Sequence, residues 1–293
     1  LNSADYLHTL MECAKLAFAD REAYYGDPLF DQVPFDVLLS PDYNSDRRKL
    51  VGPDASMEMR PGDVGEGVPA FATVDVVEDN RRAMGLEGAI REVSPKSGNP
   101  GDTTHLDAVD SEGNMVAATP SGGWIKSSPV IKGLGFPLGT RGQMFYLNAD
   151  RPNALEPHKR PRATLTPTMV TRQGRPYMAF GTPGGDTQDQ TTLQFFLNYE
   201  IFGMNIQEAI DAPTAHSSHF PSSFYPRASH PGHMTAEGRI PSDVIAELRR
   251  RGHEVDMTGD WATGKVMGIR YDEKKGVICG GVSPRRAVGY AIG

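Results

Sequence analysis

The feature that most constrains this chain is an abrupt change of character at Thr103. Residues Ser94–Asp102, SPKSGNPGD, are polar and rich in Gly and Pro, as is typical of an exposed segment that tolerates a backbone cut. The next residues, TTHLDAVDSEGNMVAAT, contain two strand-forming runs around a Ser-Glu-Gly-Asn turn and predict a β-hairpin. Thr103 therefore stands where a loop meets the first strand of a sheet.

A threonine at this join has two explanations. Threonine favours β-strands, so Thr103 could simply be a strand residue. Alternatively, cleavage of the peptide bond before Thr103 would free its α-amine, and one residue would then supply both a hydroxyl nucleophile and its base. The pKa of an α-amino group lies near ~8, which suits proton transfer close to neutral pH.

A second feature is the stretch FGTPGGDTQDQTTLQFFL, in which a predicted strand runs through Gly184-Gly185 into a predicted helix. Two consecutive glycines let the backbone approach a ligand and can direct N–H groups toward a developing oxyanion. A simple strand-to-helix turn is the alternative. The stretch lacks the Gly-Lys-Ser/Thr ending of a phosphate-binding loop, and GLGFPLG lacks the spacing of a dinucleotide fingerprint.

Composition excludes several classes of protein. A formal net charge of −7 gives no electrostatic reason to expect nucleic acid or an anionic membrane as a partner. No apolar run approaches the ~20 residues that span a bilayer. The pairs His216/His219 and His230/His233 fall in a Ser/Pro-rich region without convergent Cys or carboxylate ligands, so we interpret them as loop histidines at a surface or interface. We therefore expect no metal.

The remaining pattern predicts an α+β fold. Predicted helices cover Ser3–Tyr24 (capped by Ser3 and stopped by Gly26), a short stretch near Asn80–Leu86, Thr187–Phe202, Ile206–Ala212 and Ser242–Gly252 (capped by Ser242). Two further hairpins are predicted, with turns at Gln173-Gly174 and near Lys274–Gly276. This order suits antiparallel sheets between helices better than a parallel α/β sheet.

These segments together resemble the γ-glutamyltranspeptidase family of N-terminal-nucleophile hydrolases, collinearly over almost the whole chain. The matching segments are SADYLHTLMECAKLAFADREAYYGDP, TTHLDAVDSEGNMVAAT, KRPRATLTPTMV, GTPGGD and FGMNIQEAIDAPTAH. The resemblance implies a four-layer αββα sandwich with antiparallel sheets, matured by autocatalytic cleavage between Asp102 and Thr103. Residues 1–102 would be the C-terminal part of the large-subunit region, ending in a cleavable linker, and residues 103–293 the small catalytic subunit region, both within one αββα domain.

The resemblance also assigns catalytic roles. Thr103 would be the nucleophile, and Gly184 and Gly185 would donate the oxyanion-hole N–H groups. Ser121 falls where the family has a threonine hydroxyl that supports the nucleophile, and serine keeps that hydroxyl. The resemblance requires no metal and no organic cofactor.

The substrate-binding positions depart from the family pattern. The family's asparagine two residues after the supporting hydroxyl is Gly123 here, and its pair of serines that hold the glutamyl α-carboxylate is Ala163-Thr164. Asp150 is the only carboxylate near the position of the acidic motif that binds the α-amino group. A site that loses hydrogen-bonding partners for a head group should lose selectivity for that head group.

Three arginines are candidates for binding an acidic substrate: Arg141, Arg160 and Arg162. Solvated surface charge is the alternative for each of them. With Thr164 and Asp150, Arg160 completes the predicted substrate-binding set. The family's own arginine for the substrate carboxylate would lie in the first half of the precursor, which this chain lacks.

The resemblance predicts an amide hydrolase or acyltransferase that forms an acyl-enzyme on Thr103, resolved by water or by an amino-acid acceptor. Its partners would be a small-molecule amide, for example a γ-glutamyl compound such as glutathione, and the large-subunit remainder in an αβ heterodimer that can pair again. Two alternatives stay open: an acylase on a non-glutamyl amide, as in cephalosporin acylases and oxamate amidohydrolases, and an uncleaved, non-catalytic binding protein.

Overall fold

The first helix contributes to one of the hydrophobic core clusters. In the computed structural model, α1 covers Ala4–Tyr24, and the Ser3 side chain caps it by accepting a hydrogen bond of 3.2 Å from the Tyr6 N–H. The predicted helix and its cap are therefore confirmed. Leu7 and Met11 lie one turn apart and are buried, so α1 presents an apolar stripe to the rest of the protein.

The structure describes residues 1–73, 76, 103–125, 128–272, 275–285 and 289–292. The predicted short helix near Asn80–Leu86 and the predicted linker Ser94–Asp102 lie outside these residues. So do Asp102 at the predicted cleavage point and Lys274 in the third predicted turn. Within the described ranges, no helix is long and apolar enough to cross a bilayer.

Two short helices follow α1 in a region where the sequence analysis predicts no helix: α2 (Phe35–Leu38) and α3 (Pro41–Arg48). The signals for α3 are present in the sequence. The Ser40 hydroxyl caps the helix by accepting from the Tyr43 N–H, and Pro41 occupies the first helical position, where its missing N–H is not needed. The sequence analysis missed α3 because this cap was overlooked.

The three predicted hairpins form. They consist of β1 (Leu106–Val109) with β2 (Met115–Ala118), β3 (Thr168–Arg172) with β4 (Arg175–Gly181), and β8 (Met267–Asp272) with β9 (Val277–Val282). Strands β3, β4, β8 and β9 make one antiparallel sheet in the order β3-β4-β8-β9. The turn between β3 and β4 uses Gln173 at φ 53° and Gly174 at φ 78°, as the sequence predicts for a two-residue turn.

The four-stranded sheet is covered on both faces. Helices α4 (Gln188–Glu200) and α5 (Ile206–Asp211) pack on it through a cluster that includes Met178, Phe180 and Phe195. The β1/β2 hairpin packs against the strands β3, β4 and β8. A helical layer, a sheet and a second sheet therefore stack in that order, which places the start of β1 inside the molecule rather than at its edge.

A three-stranded sheet, absent from the sequence prediction, contains β5 (Ala215–Ser217), β6 (His233–Ala236) and β7 (Glu254–Met257). Strands β5 and β6 run antiparallel and β6 and β7 parallel, so this additional sheet is mixed, unlike the antiparallel sheets that the sequence predicts. Helix α6 (Ser242–Arg250) provides the crossover between them, and it packs with α1 on a shared apolar cluster. Its N-cap position is Pro241, and Ser242 is its first helical residue.

The position of these strands corrects the interpretation of the histidines. His216 lies in β5 and His233 in β6, not in loops. His219 is buried, accepts a hydrogen bond of 2.9 Å from the Gly232 N–H through Nδ1, and places Nε2 3.2 Å from the Glu58 carbonyl oxygen. Its imidazole therefore joins two chain segments and is not a surface group.

Candidate active site

Thr103 lies at the head of β1, and the register of the hairpin decides what it faces. Leu106 pairs with Ala118 in the antiparallel ladder, and the Thr104 N–H donates to the Pro120 carbonyl oxygen at 3.1 Å beyond it. The same register, continued outward by one residue, sets Thr103 opposite Ser121. The two hydroxyls, 18 residues apart in sequence, therefore meet because of strand pairing.

The two hydroxyl oxygens are within hydrogen-bonding distance. Thr103 Oγ1 and Ser121 Oγ are 2.6 Å apart, and Thr103 is 8% exposed. Arg141, in a 3-10 helix at Thr140–Met144, also donates to Ser121 Oγ through Nη2. A guanidinium can only donate, so Ser121 Oγ accepts from Arg141 and its own proton can point at Thr103 Oγ1. That arrangement leaves the Thr103 proton to be taken by another group.

The glycine loop follows β4. Gly184 has φ 150° and Gly185 φ 60°, conformations that side chains disfavour. A Cβ at Gly184 would collide with Thr187 Oγ1, and one at Gly185 would lie 2.9 Å from Phe224 Cε2. Both positions therefore require glycine. The oxyanion-hole role of their N–H groups stays a prediction.

Asp186, directly after the two glycines, anchors this loop. Its Oδ1 accepts a hydrogen bond of 2.6 Å from Arg21 Nη1 in α1, and its Oδ2 accepts one of 2.7 Å from the Ser223 N–H. The Ser223 hydroxyl donates to Oδ1 as well, at 2.6 Å. A carboxylate held by three donors from two separate segments restricts the movement of the glycines beside it.

Phe224 connects the glycine loop to the hydroxyl pair. Its ring lies against Gly185, and the Arg141 guanidinium carbon lies 5.6 Å from the ring centroid. Arg141 in turn contacts Ser121, and Ser121 contacts Thr103. A chain of contacts therefore runs from Gly185 through Phe224 and Arg141 to Ser121 and Thr103.

A buried charge cluster is linked to the glycine loop through the Arg21–Asp186 ion pair. Glu22 is 3% exposed and lies 2.8 Å from Arg162 and 2.9 Å from Arg21, and it accepts a hydrogen bond from the Tyr146 hydroxyl. Burial would raise the pKa of Glu22, but the Arg162 and Arg21 guanidiniums and the Tyr146 hydroxyl together lower it to about 2. The carboxyl group is therefore ionised inside the protein.

Thr164 is buried, and it follows Arg162 of this cluster by two residues in the sequence. It is 5% exposed, and its Oγ1 has no hydrogen-bonding partner among the residues that the structure describes. Over the same ranges, Thr166 Oγ1 and Gln188 Nε2 have none either, although Gln188 Oε1 accepts from the Thr166 N–H at 3.2 Å. Buried polar atoms are normally paired, so each of these three atoms retains hydrogen-bonding capacity that water or a polar ligand can meet.

The other predicted substrate-binding residues lie apart from this set. Asp150 is exposed at the wall of a cavity of about 710 Å³ whose lining includes Phe30 and Phe71 and none of the predicted catalytic residues. Arg160 has a 68% exposed side chain and makes a double hydrogen bond with Asp27 at 2.7 and 3.1 Å. The substrate-binding roles of Asp150 and Arg160 stay predictions.

One cluster with metal-ligand residue types was missed by the sequence analysis. His8, Glu12 and His253 are buried, with ligand atoms within 4.8 Å of one another. His8 Nδ1 lies 2.8 Å from His253 Nε2, so the imidazoles hydrogen-bond to each other. Glu12 already binds two cations, with Lys15 Nζ at 2.6 Å and Arg60 Nη2 at 3.2 Å. Two neighbouring cations disfavour a metal ion, so this is a hydrogen-bonded core cluster.

The chain is similar to known proteins over most of its length. A model of the γ-glutamyltranspeptidase family matches residues 1–293. The glutathione hydrolase proenzyme of Pseudomonas aeruginosa is 30% identical over 288 residues, which cover 94% of this chain and 44% of that protein. The solved structure of LmbA2991HD is 48% identical with a TM-score of 0.88 and covers 100% of this chain and 49% of its own.

A second solved structure, cephalosporin acylase from Bacillus halodurans, is 29% identical with a TM-score of 0.71 and covers 97% of this chain and 44% of its own. The chain thus spans about half the length of these relatives, between 44% and 49%. The likenesses confirm the α+β fold that the sequence resemblance implies.

Proposed function

Because the chain belongs to the γ-glutamyltranspeptidase family, we propose that it carries the nucleophile of an amide hydrolase or acyltransferase, with Thr103 as that nucleophile. The observation that supports this most directly is the 2.6 Å contact between Thr103 Oγ1 and Ser121 Oγ at the head of β1. A rigid strand end presents the hydroxyl, and a second hydroxyl holds it in one orientation. Nucleophilic catalysis needs this kind of restraint.

The proposed activation step is cleavage between Asp102 and Thr103. The cut would leave Thr103 with an α-amine whose pKa is near ~8, within reach of its own hydroxyl. Because the Ser121 proton can point at Thr103 Oγ1, the Thr103 proton is available to this amine. The protein would then correspond to an αβ heterodimer, with the large-subunit remainder as the partner of residues 103–293.

The proposed reaction proceeds in two halves. The Thr103 amine takes the hydroxyl proton as Oγ1 forms a bond to the amide carbonyl carbon, and the carbonyl oxygen becomes an oxyanion. The N–H groups of Gly184 and Gly185 would stabilise that oxyanion. The carbon–nitrogen bond then breaks as the ammonium returns the proton to the leaving amine, which leaves an ester on Thr103.

In the second half, water or an amino-acid acceptor attacks the ester carbonyl, again with the Thr103 amine as the base. The carbon–oxygen bond to Thr103 breaks, Oγ1 recovers its proton, and a carboxylic acid or a new amide is released. Each half uses the same donors and the same base. No group other than those of the chain and the substrates is required for these steps.

The acyl group is a separate part of the proposal. Relatives include a glutathione hydrolase and a cephalosporin acylase, so γ-glutamyl compounds and non-glutamyl amides are both candidates. Gly123 and Ala163 stand where the resemblance implies polar substrate contacts, which favours an acyl group other than γ-glutamyl. Thr164, with its buried and unpartnered hydroxyl among the described residues, is the remaining polar group of that subsite.

Intact mass spectrometry of the protein expressed from its full-length gene tests the proposal. We expect the wild type to appear as two polypeptides, the smaller beginning at Thr103, and a Thr103→Ala variant to stay whole. A Thr104→Ala variant is the matched control and should still be cut. If the wild type stays whole after long incubation, the hydrolase proposal fails and the uncleaved binding protein takes its place.

A further inference from the structure

Phe224 contacts two parts of the candidate site. Its Cε2 atom would lie 2.9 Å from a Cβ at Gly185, so the ring packs directly on the second loop glycine. The guanidinium carbon of Arg141 lies 5.6 Å from the centroid of the same ring, and Arg141 donates to Ser121. The ring therefore contacts both the glycine loop and the residue that binds the hydroxyl beside Thr103.

Hydrogen bonds fix the backbone on both sides of this ring. The Ser223 N–H and hydroxyl donate to Asp186 at 2.7 and 2.6 Å, and the Arg227 N–H donates to the Phe224 carbonyl oxygen at 2.7 Å. The Arg227 guanidinium, 2% exposed, also donates to two carbonyl oxygens at the end of the 3-10 helix that carries Arg141. Displacement of the ring would break these bonds, so we expect it to keep its place when a substrate binds.

The ring lies close to the place where the reacting carbonyl would bind. By ordinary covalent geometry, Phe224 Cε2 is no more than about 5.5 Å from the Gly185 nitrogen. The proposed oxyanion would accept a hydrogen bond of about 3 Å from that nitrogen. The groups attached to the carbonyl carbon are therefore the parts of a substrate that the ring can reach.

Of these groups, the acyl group is the one on the side of Arg141. A Cβ at Gly122 would lie 3.5 Å from Arg141 Nε, and Gly123, which belongs to the proposed acyl subsite, is the next residue. Neither glycine has a side chain that could bind a polar group. An acyl group between these glycines and the Phe224 ring would therefore meet an apolar surface.

We propose that Phe224 determines specificity for the acyl group, so that the preferred substrates are amides of arylacetic acids. This inference rests on the proposed amide hydrolysis and names its substrate class. Phe224 is half-buried, so part of its ring area remains for a substrate to cover. A substrate ring gains from leaving water and from the offset or edge-to-face arrangement that two aromatic rings prefer.

A competing role for Phe224 is to hold the glycine loop alone. The two roles differ in what a substitution does to aromatic and small acyl groups. Loss of the ring contact slows the aromatic amide only, whereas displacement of Gly185 slows every amide equally. Two amides that differ only in the acyl group therefore separate the roles.

The experiment measures kcat/KM for phenylacetamide and acetamide by ammonia release, with protein expressed from the full-length gene. Both have the same leaving group. We expect the wild type to prefer phenylacetamide by roughly 10- to 100-fold, as for an apolar group that enters a matching pocket. Phe224→Ala should remove this preference by slowing phenylacetamide. Phe35→Ala, which removes a 48% exposed phenylalanine of α2, is the matched control and should keep it.

Phe224→Gln fills much of the same space with a polar side chain and gives the same test if the alanine variant does not fold. Equal kcat/KM for the two amides in the wild type, or an equal loss for both in the Phe224 variants, would overturn the inference and leave the hydrolase proposal standing. If the Phe224 variants instead slow only acetanilide, the ring contacts the leaving amine and the inference is also overturned.

Calorimetric titration of the same proteins with phenylacetate, the expected product, tests the inference without catalysis. Phenylacetate binding that the Phe224 variants abolish, in a protein that cleaves neither amide, would refute the proposed function and keep the apolar subsite. Absence of phenylacetate binding together with absence of cleavage would refute both.

Discussion

Arg21 Nη1 and Asp186 Oδ1 lie 2.6 Å apart, so the last turn of α1 holds the residue that follows the two loop glycines. Both side chains are largely buried, at 9% and 14% exposure. Ser223 holds the same carboxylate from a second direction. The conformation of the glycine loop thus depends on a helix more than 160 residues earlier in the chain.

Asp186→Ala should therefore lower stability and slow acyl transfer together. The substitution removes a buried ion pair and both Ser223 hydrogen bonds, at a cost of about 3 kcal/mol although Arg21 keeps Glu22, and it frees the loop that would hold the oxyanion. Urea unfolding and kcat are the measurements. Asp243→Asn, at an exposed carboxylate in the first turn of α6, should change stability by no more than about 0.5 kcal/mol. An unchanged unfolding midpoint for Asp186→Ala would contradict the anchoring role.

Ser121→Ala should reduce kcat by roughly 10- to 150-fold, because the Thr103 oxygen loses a donor that can stabilise it as its proton leaves. Ser121→Thr keeps the hydroxyl and should retain most of the activity. Activity assays on both variants, after mass spectrometry has established the extent of processing, check this expectation. Equal activity of wild type and Ser121→Ala would show that the hydroxyl contact has no catalytic role.

The Glu22 cluster predicts a defined acid sensitivity. The folded-state pKa of Glu22 is lowered to about 2 from an ordinary value of 4.5, so its ion pairs stabilise the protein fully above about pH 4.5. That contribution, about 3 kcal/mol, is lost as the pH falls toward 2. Urea unfolding of wild type and Glu22→Gln from pH 2 to 6 should show a stability gap that closes at low pH. A gap independent of pH would contradict the ionised state of Glu22.

Gly184→Ala should impair catalysis more than folding. The substitution forces a side chain into a φ of 150° and into Thr187, which displaces the N–H proposed to bind the oxyanion. Gly174→Ala is a matched control, because this hairpin glycine also has a positive φ, 78°, but has open space around its Cβ position. Gly174→Ala should lose about 1 kcal/mol of stability, Gly184→Ala more than that because its Cβ also meets Thr187, and only Gly184→Ala should lose kcat. Comparable kcat values in the two variants would argue against an oxyanion role.

Local signals in the sequence predicted the elements that depend on neighbouring residues. The hairpin turns follow from Gln173-Gly174 and similar pairs, and α1 follows from its apolar spacing and its Ser3 cap. The three-stranded sheet was missed because β5 has only three residues and the parallel pairing of β6 with β7 depends on distant contacts.

Part of the candidate site was predictable because two of its residues lie on one local element. Thr103 and Ser121 lie on one hairpin, so the register that brings them together can be counted from the sequence once the turn is known. The cluster of Glu22, Arg162 and Tyr146 could not be found this way, because its members are far apart in sequence and none carries a local motif.

If the chain is cut before Thr103, the buried charge cluster is divided between two polypeptides. Arg21 and Glu22 would then belong to one polypeptide, and Asp186, Arg162 and Tyr146 to the other. Contacts that are intramolecular in the precursor would then form the interface between two fragments. This interface would have buried charged groups on both sides. Separation of the fragments would expose Glu22 and the two arginines at once, so acid and dilution should act together in releasing the small fragment from the large one.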